Sequence, residues 1–115
     1  LSRLFDSIPA SAQSTFVKEK LGALLEERTY SRELLWTLKV YLDSNGQAGE
    51  AAKRLYVHRN TLAYRLARLQ ELLGCDLKNL DTVTDLRLAL TFYYNGIQEN
   101  GGKDDVKIEK TTHIS

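Results

Sequence analysis

The ten residues from Val57 to Leu66, VHRNTLAYRL, concentrate polar chemistry in the middle of the chain. They hold a histidine, two arginines, an asparagine, a threonine and a tyrosine, with no carboxylate among them. Side chains of these types can move protons, hold a phosphate or a metal, or grip another molecule without reacting with it. A general base at His58 needs a positioned partner and a nucleophile or substrate pocket. No nucleophile–base pair, phosphate loop or carboxylate dyad accompanies it. A zinc site needs several His, Cys, Asp or Glu ligands in register, whereas the one other histidine is His113 and the one cysteine is Cys75. The pattern therefore points to no enzyme, no metal and no cofactor. It leaves a recognition surface.

The elements that must position this stretch are helical. Residues 9–27 carry Pro9 in a first turn and an apolar face of Phe16, Val17, Leu21, Leu24 and Leu25. Residues 31–44 follow, with Ser31 as expected N-cap, Leu34, Leu35, Leu38, Tyr41 and Leu42 as the buried side, and Asn45-Gly46 as the stop. A short helix from Gln47 to about Leu55 offers Ala51 and Ala52 as small contact residues. The next runs from about His58 to Leu73 and ends at Gly74, with Leu62, Leu66, Leu69 and Leu73 in a stripe at i, i+4, i+7 and i+11. CDLKNLD connects it to a last helix that starts near Thr82, with Asp81 as expected cap, and carries Leu86, Leu90, Phe92, Tyr93 and Tyr94. The aromatic residues Trp36, Tyr41, Phe92, Tyr93 and Tyr94 are expected in the core or at a subunit interface, and Cys75 as a small apolar filler. No alternating pattern long enough for a sheet is present. The fold class is all-α, about five helices.

Between Leu55 and Leu62 there is room only for a tight turn, so two helices meet there as a helix-turn-helix with Val57 as the apolar plug. In that motif the second helix enters the DNA major groove with its N-terminal residues at the base edges. With Leu62, Leu66 and Leu69 turned inward, the opposite face presents Asn60, Thr61, Tyr64, Ala67 and Arg68, flanked by Ala63 and Arg65. Arg59, on the flank, can reach outward from the helix start. Asparagine pairs with adenine and arginine with guanine through two hydrogen bonds each. Arg59, Asn60, Thr61, Tyr64 and Arg68 are accordingly the expected base-reading residues. Lys53, Arg54, His58 and Arg65 are expected to hold the DNA backbone, with Arg65 also able to pair with an acid on a neighbouring helix.

Charge supports this placement. The whole chain carries a net +1, yet residues 51–75 hold five basic residues and only Glu71 in opposition, for +4. The flanking segments are mildly acidic, so the total conceals a local basic footprint. No glutamate lies between Ala51 and Gln70 to neutralise the face. A hydrophobic share of 43% and a charged share of 27% match an ordinary globular domain. Apolar runs fall far short of the ~20 residues that span a bilayer. A lone cysteine permits no intrachain disulfide, which is simplest in a reducing cytoplasm. The start at Leu1 suggests a processed product or a fragment of something longer.

The block LLWTLKVYLDSNGQAGEAAKRLYVHRNTLAYRLARLQELLGCDL resembles the C-terminal DNA-binding domain of the PucR/CdaR family of bacterial transcription regulators. LLWTLKVYL before Asn-Gly, the AAKRLYVHRNTLAYRL core, and LLGCDL ahead of a helix with LRLAL carry the resemblance, which covers roughly residues 20–95. The helix-turn-helix is also similar to that of Fis-type proteins. Gln47 departs from the family, which often has a second asparagine there; this touches the cap of a short helix and not the reading face. The resemblance implies an output domain on a larger regulator, with activation the common mode and any effector ligand bound in the missing upstream region. Residues 1–30 are then a linker or helix joining that region, 31–98 the helix-turn-helix domain, and 99–115 a flexible tail. A single motif contacts one half-site, so a homodimer on a pseudo-palindromic operator is the expected working form. The alternative is a helical dimerisation or partner-docking module whose basic face binds an acidic protein.

Overall fold

Leucines at helical spacing converge from every helix onto one core. A computed structural model describes residues 7–25 and 29–111. Five α-helices occupy them: α1 (Ala10–Leu21), α2 (Thr29–Asp43), α3 (Ala48–Leu55), α4 (Arg59–Leu73) and α5 (Leu80–Thr111). A 3-10 turn, Gly22–Leu24, extends α1. No strand occurs among the described residues. The all-α class expected from the spacing is thus the observed one. Leu34, Leu38, Leu62 and Leu69 are almost wholly buried, and each such side chain contributes about 1.5–3 kcal/mol relative to exposure.

The first helix is shorter than the apolar pattern to residue 27 predicts. After Leu21 the backbone tightens, and Leu25 N–H bonds to the Gly22 carbonyl at 3.1 Å. The tighter turn drops Leu24 into the core (1% exposed), where the 3-10 segment meets α2 and α4. Along α1 itself, Val17 and Leu21 are buried, Phe16 meets Phe92 edge-on at 5.9 Å, and Lys20 pairs with Asp85 at 3.4 Å. The segment expected as a joining element therefore packs into the same core as residues 31–98. Residues 1–6 and 26–28 of it lie outside the described residues.

Thr29 opens α2 ahead of the expected cap, so Ser31 sits inside the helix. At the other end Asn45 and Gly46 both adopt left-handed backbone, and Gly46 N–H bonds the Tyr41 carbonyl at 3.0 Å. Arg87, from α5, donates to the Leu42 carbonyl and to Asn45 Oδ1 (3.2 Å). This ties the α2–α3 corner to α5. Gln47 is the N-cap of α3 but makes no capping bond with its side chain. The cap of α5 is Asn79, whose Oδ1 accepts from Thr82 N–H at 3.0 Å. Asp81, expected in that role, lies in the first turn, where its charge still complements the helix dipole. The helix also runs past the expected limit at 98 to Thr111. Extending an existing helix adds one bond per residue without a new nucleus. Residues 112–115 of the expected tail lie outside the described residues.

Candidate nucleic-acid interface

The corner between α3 and α4 is built from the backbone outward. Ala51 and Ala52, 0% and 3% exposed, let α3 approach its neighbours closely. At its C-terminus Val57 N–H reaches the Ala52 carbonyl and Tyr56 N–H the Lys53 carbonyl, both at 3.1 Å. This paired bonding is a Schellman closure, whose penultimate residue must be left-handed. Tyr56 takes that conformation, with φ 58° and ψ 41°. Left-handed backbone costs a side-chain-bearing residue roughly 1–2 kcal/mol. Val57 then packs, part-buried, against the core as the expected plug. His58 is the N-cap of α4, its Nδ1 accepting from Asn60 N–H at 3.0 Å. That arrangement leaves the Nε2 edge of the exposed ring available to an outside acceptor.

Along α4, Leu62 and Leu69 are fully buried and Leu66 and Leu73 part-buried. The opposite surface carries Asn60, Thr61, Ala63, Tyr64, Ala67 and Arg68, all exposed. Ala63 and Ala67, one turn apart, form a low track beside Asn60 and Tyr64, so nothing bulky along it holds the helix away from a concave partner. Beside this track runs a shallow groove lined by Ala48, His58, Arg59, Asn60, Ala63 and Leu66. Four of the expected reading residues, Asn60, Thr61, Tyr64 and Arg68, thus share one outer surface with Arg59 at its start.

The basic side chains divide into three groups. Arg54 Nε meets Glu50 at 3.2 Å and Arg68 Nη1 meets Glu71 at 3.0 Å, both within one helix and both half-exposed. The acids lie just beyond the acid-free window from Ala51 to Gln70, so that window overstated the bareness of the face. Pairs of this kind contribute only roughly 0.2–0.5 kcal/mol and yield readily to a phosphate. Arg65 is different. Its Nη1 donates to Thr37 Oγ1 at 3.1 Å, its Nη2 lies 3.7 Å from Glu33, and its side chain is 19% exposed. Thr37 is wholly buried. The expected backbone-holding residue is therefore turned onto the neighbouring helix α2, where it pairs with an acid. Lys53 and Arg59 are exposed and carry no ion pair among the described residues.

Two exposed tyrosines belong to this surface although sequence reasoning passed over them. Tyr56 is 95% exposed. A search for the left-handed residue that a two-helix corner needs, in a stretch without glycine, would have found it. Tyr30, on the first turn of α2, has Tyr64, Arg65 and Arg68 as electrostatic neighbours. Burial, with the Tyr64 hydroxyl beside it, pushes its phenol up. The remaining aromatic residues mostly build the core: Tyr41 and Phe92 are buried and Tyr93 and Tyr94 part-buried, while Trp36 stays half-exposed with its ring edge-on to Tyr94 at 6.1 Å. Cys75 packs part-buried against the core. Among the described residues, no cluster of three metal-ligating side chains occurs and no helix is long and apolar enough to cross a membrane.

Comparison with known proteins places this geometry. Residues 34–92 match the PucR C-terminal helix-turn-helix domain. The chain is 47% identical over 83 residues to the purine catabolism regulatory protein of Bacillus subtilis, covering 72% of this chain and 16% of that protein. It is 38% identical over 87 residues to the carbohydrate diacid regulator of Escherichia coli, covering 76% and 22% respectively. With the proline-responsive transcriptional activator PutR of B. subtilis the identity is 36% over 90 residues, covering 76% and 22%. The chain thus spans less than a quarter of the length of these relatives, whose names describe regulators. No solved structure matches. With its matched segment running from the core of α2 through the α3–α4 corner to Phe92, the chain belongs to the family of PucR C-terminal helix-turn-helix domains.

Proposed function

We propose that this domain binds double-stranded DNA sequence-specifically, with α4 in the major groove. The observation that carries the reading is the outer track of α4. Asn60 and Tyr64 stand beside two exposed alanines, Ala63 and Ala67, with Arg59 at the helix start. A face meant only to attract an acidic protein would need the charge but not the low alanine track. Arg59, Asn60, Thr61, Tyr64 and Arg68 contact base edges, asparagine suiting adenine and arginine guanine. Lys53, Arg54 and the free edge of His58 hold phosphates. Arg65 acts one step back, by fixing α4 against α2.

The domain works as the output module of a longer cytoplasmic regulator, as a homodimer on a pseudo-palindromic operator, with the effector sensed upstream. The names of the three relatives support regulation, and one of them supports activation. The test is selection of duplexes from a random pool with this chain, followed by affinity measurement on a selected duplex. Between roughly 50 and 200 mM salt the affinity should fall by orders of magnitude, through release of counterions from the contacted phosphates. A flat salt response, or a pool that yields no shared site, overturns the reading.

A further inference from the structure

The chain closes three helices with the same backbone device but different residues, Asn45 taking the left-handed position at the end of α2. At the end of α4, Gly74 takes the left-handed position (φ 62°), and Cys75 N–H bonds back to the Gln70 carbonyl at 3.2 Å. At the end of α3 the equivalent position is Tyr56, with φ 58°. Glycine meets the conformational demand without strain, and asparagine meets it better than a bulky residue does. A tyrosine there carries a conformational penalty, so its ring would be expected to recover something by packing. It does not: Tyr56 is 95% exposed, more than Tyr30, Trp36 or Tyr64. Nothing among the described residues packs on the ring to account for it.

Its position supplies an outside reason. Tyr56 closes α3, two residues before the N-cap of α4 and three before Arg59, and so lies next to the N-terminal end of the helix that enters the groove in the reading above, on which this inference rests. A helix end seated in the major groove has a sugar–phosphate strand on either side. Lys53, one turn back on α3, is exposed and carries no ion pair among the described residues. We propose that Tyr56 is a DNA-backbone contact, its ring lying on a deoxyribose and its hydroxyl donating to the neighbouring phosphate, with Lys53 supplying charge at the same strand. Tyrosine suits this because one rigid side chain offers both an apolar body and a polar tip. Backbone contacts set register and carry no sequence information.

Tyr56→Asn is the decisive variant. It relieves the left-handed strain while removing the ring, so its melting temperature should equal or exceed that of the wild type. Its affinity should fall about three- to tenfold, equally for a selected duplex and a scrambled one of the same length. Tyr56→Phe, which keeps the ring and loses the hydroxyl, should lie between the two. A variant that is more stable and binds less tightly cannot be explained by a structural role for the ring. Unchanged affinity in Tyr56→Asn overturns the assignment and leaves a protein partner as the occupant. A loss confined to the selected duplex also overturns it, since that would make Tyr56 a base reader. Failure of the wild type itself to bind any duplex at low salt overturns the DNA reading and not the Tyr56 step alone.

Discussion

Replacing Arg65 by methionine distinguishes an internal strut from a phosphate contact. Arg65 Nη1 donates to the hydroxyl of wholly buried Thr37 at 3.1 Å, and a hydrogen bond from a charged donor is worth about 1.5–3 kcal/mol. The ion pair with Glu33 is longer, at 3.7 Å, and its acid is half-exposed, so it adds only about 0.2–0.5 kcal/mol. Methionine keeps much of the apolar stem in place. With partial access of water to the site, the expected loss is about 2 kcal/mol. For a domain of this size that lowers the melting temperature by about 10 °C. It moves the urea midpoint by about 1–2 M. Thr37→Val should cost less than Arg65→Met, and the double variant should lose less than the sum of the two. Binding to a selected duplex, measured well below the melting range, should keep its salt dependence. If Arg65 instead holds a phosphate, the urea midpoint stays put and the slope of log affinity against log salt drops by about one. That pair of results would refute the strut.

Four further outcomes follow from the geometry. Ala67→Glu should leave the helical circular dichroism unchanged, since glutamate is a good helix former, yet weaken duplex binding at least about tenfold by setting a carboxylate on the track; retained binding would move the groove-facing surface elsewhere. Gln47→Asn should raise stability by about 0.5–1 kcal/mol in urea titrations, because the present N-cap makes no side-chain bond. Burial, with Tyr93 adding to it, pushes the Tyr94 phenol up to about 12. The folded state therefore holds that proton more tightly than the unfolded chain does, and the stability it contributes is lost as pH rises from about 10 to about 12. Tyr94→Phe should flatten that alkaline decline. Burial and then Asp76 push the Cys75 thiol up, so alkylation near about pH 8 should be slow in the native protein and quicken in urea.

How much of this can be read from sequence depends on how local the cause is. The leucine stripe of α4 and the small residues Ala51 and Ala52 are one-helix patterns, and the structure puts them where spacing predicts. The stop at Asn45-Gly46 and the end at Gly74 are equally local, since each turns on a left-handed backbone position. The fate of Arg65 is not local, because its partners Glu33 and Thr37 stand on another helix and the spacing within α4 leaves both directions open. The same holds for Arg87, whose acceptors lie more than forty residues away. Tyr56 was missed for an opposite reason. Its demand is local, but an aromatic residue reads as core by type, and what marks it out is the left-handed position that a corner without glycine requires. The extension of α1's packing into the domain was hidden by Gly22 and the tightened turn after it.

The pairing of α1 with α5 also has a mechanical meaning. Phe16 lies on Phe92 and Lys20 pairs with Asp85, so one helix ascends as the other descends. The upstream end of α1 therefore sits beside the middle of α5, and Leu21 and Leu24 near its beginning. A force pulling the upstream end of α1 away from α5 loads the contact as a zipper, opening it one turn at a time from Phe16 towards Leu24. Such a load is relieved turn by turn before it reaches Leu24, where the segment touches α2 and α4. Tension on the upstream connection would thus be absorbed in α1 first, and the helix that faces the partner would feel it last.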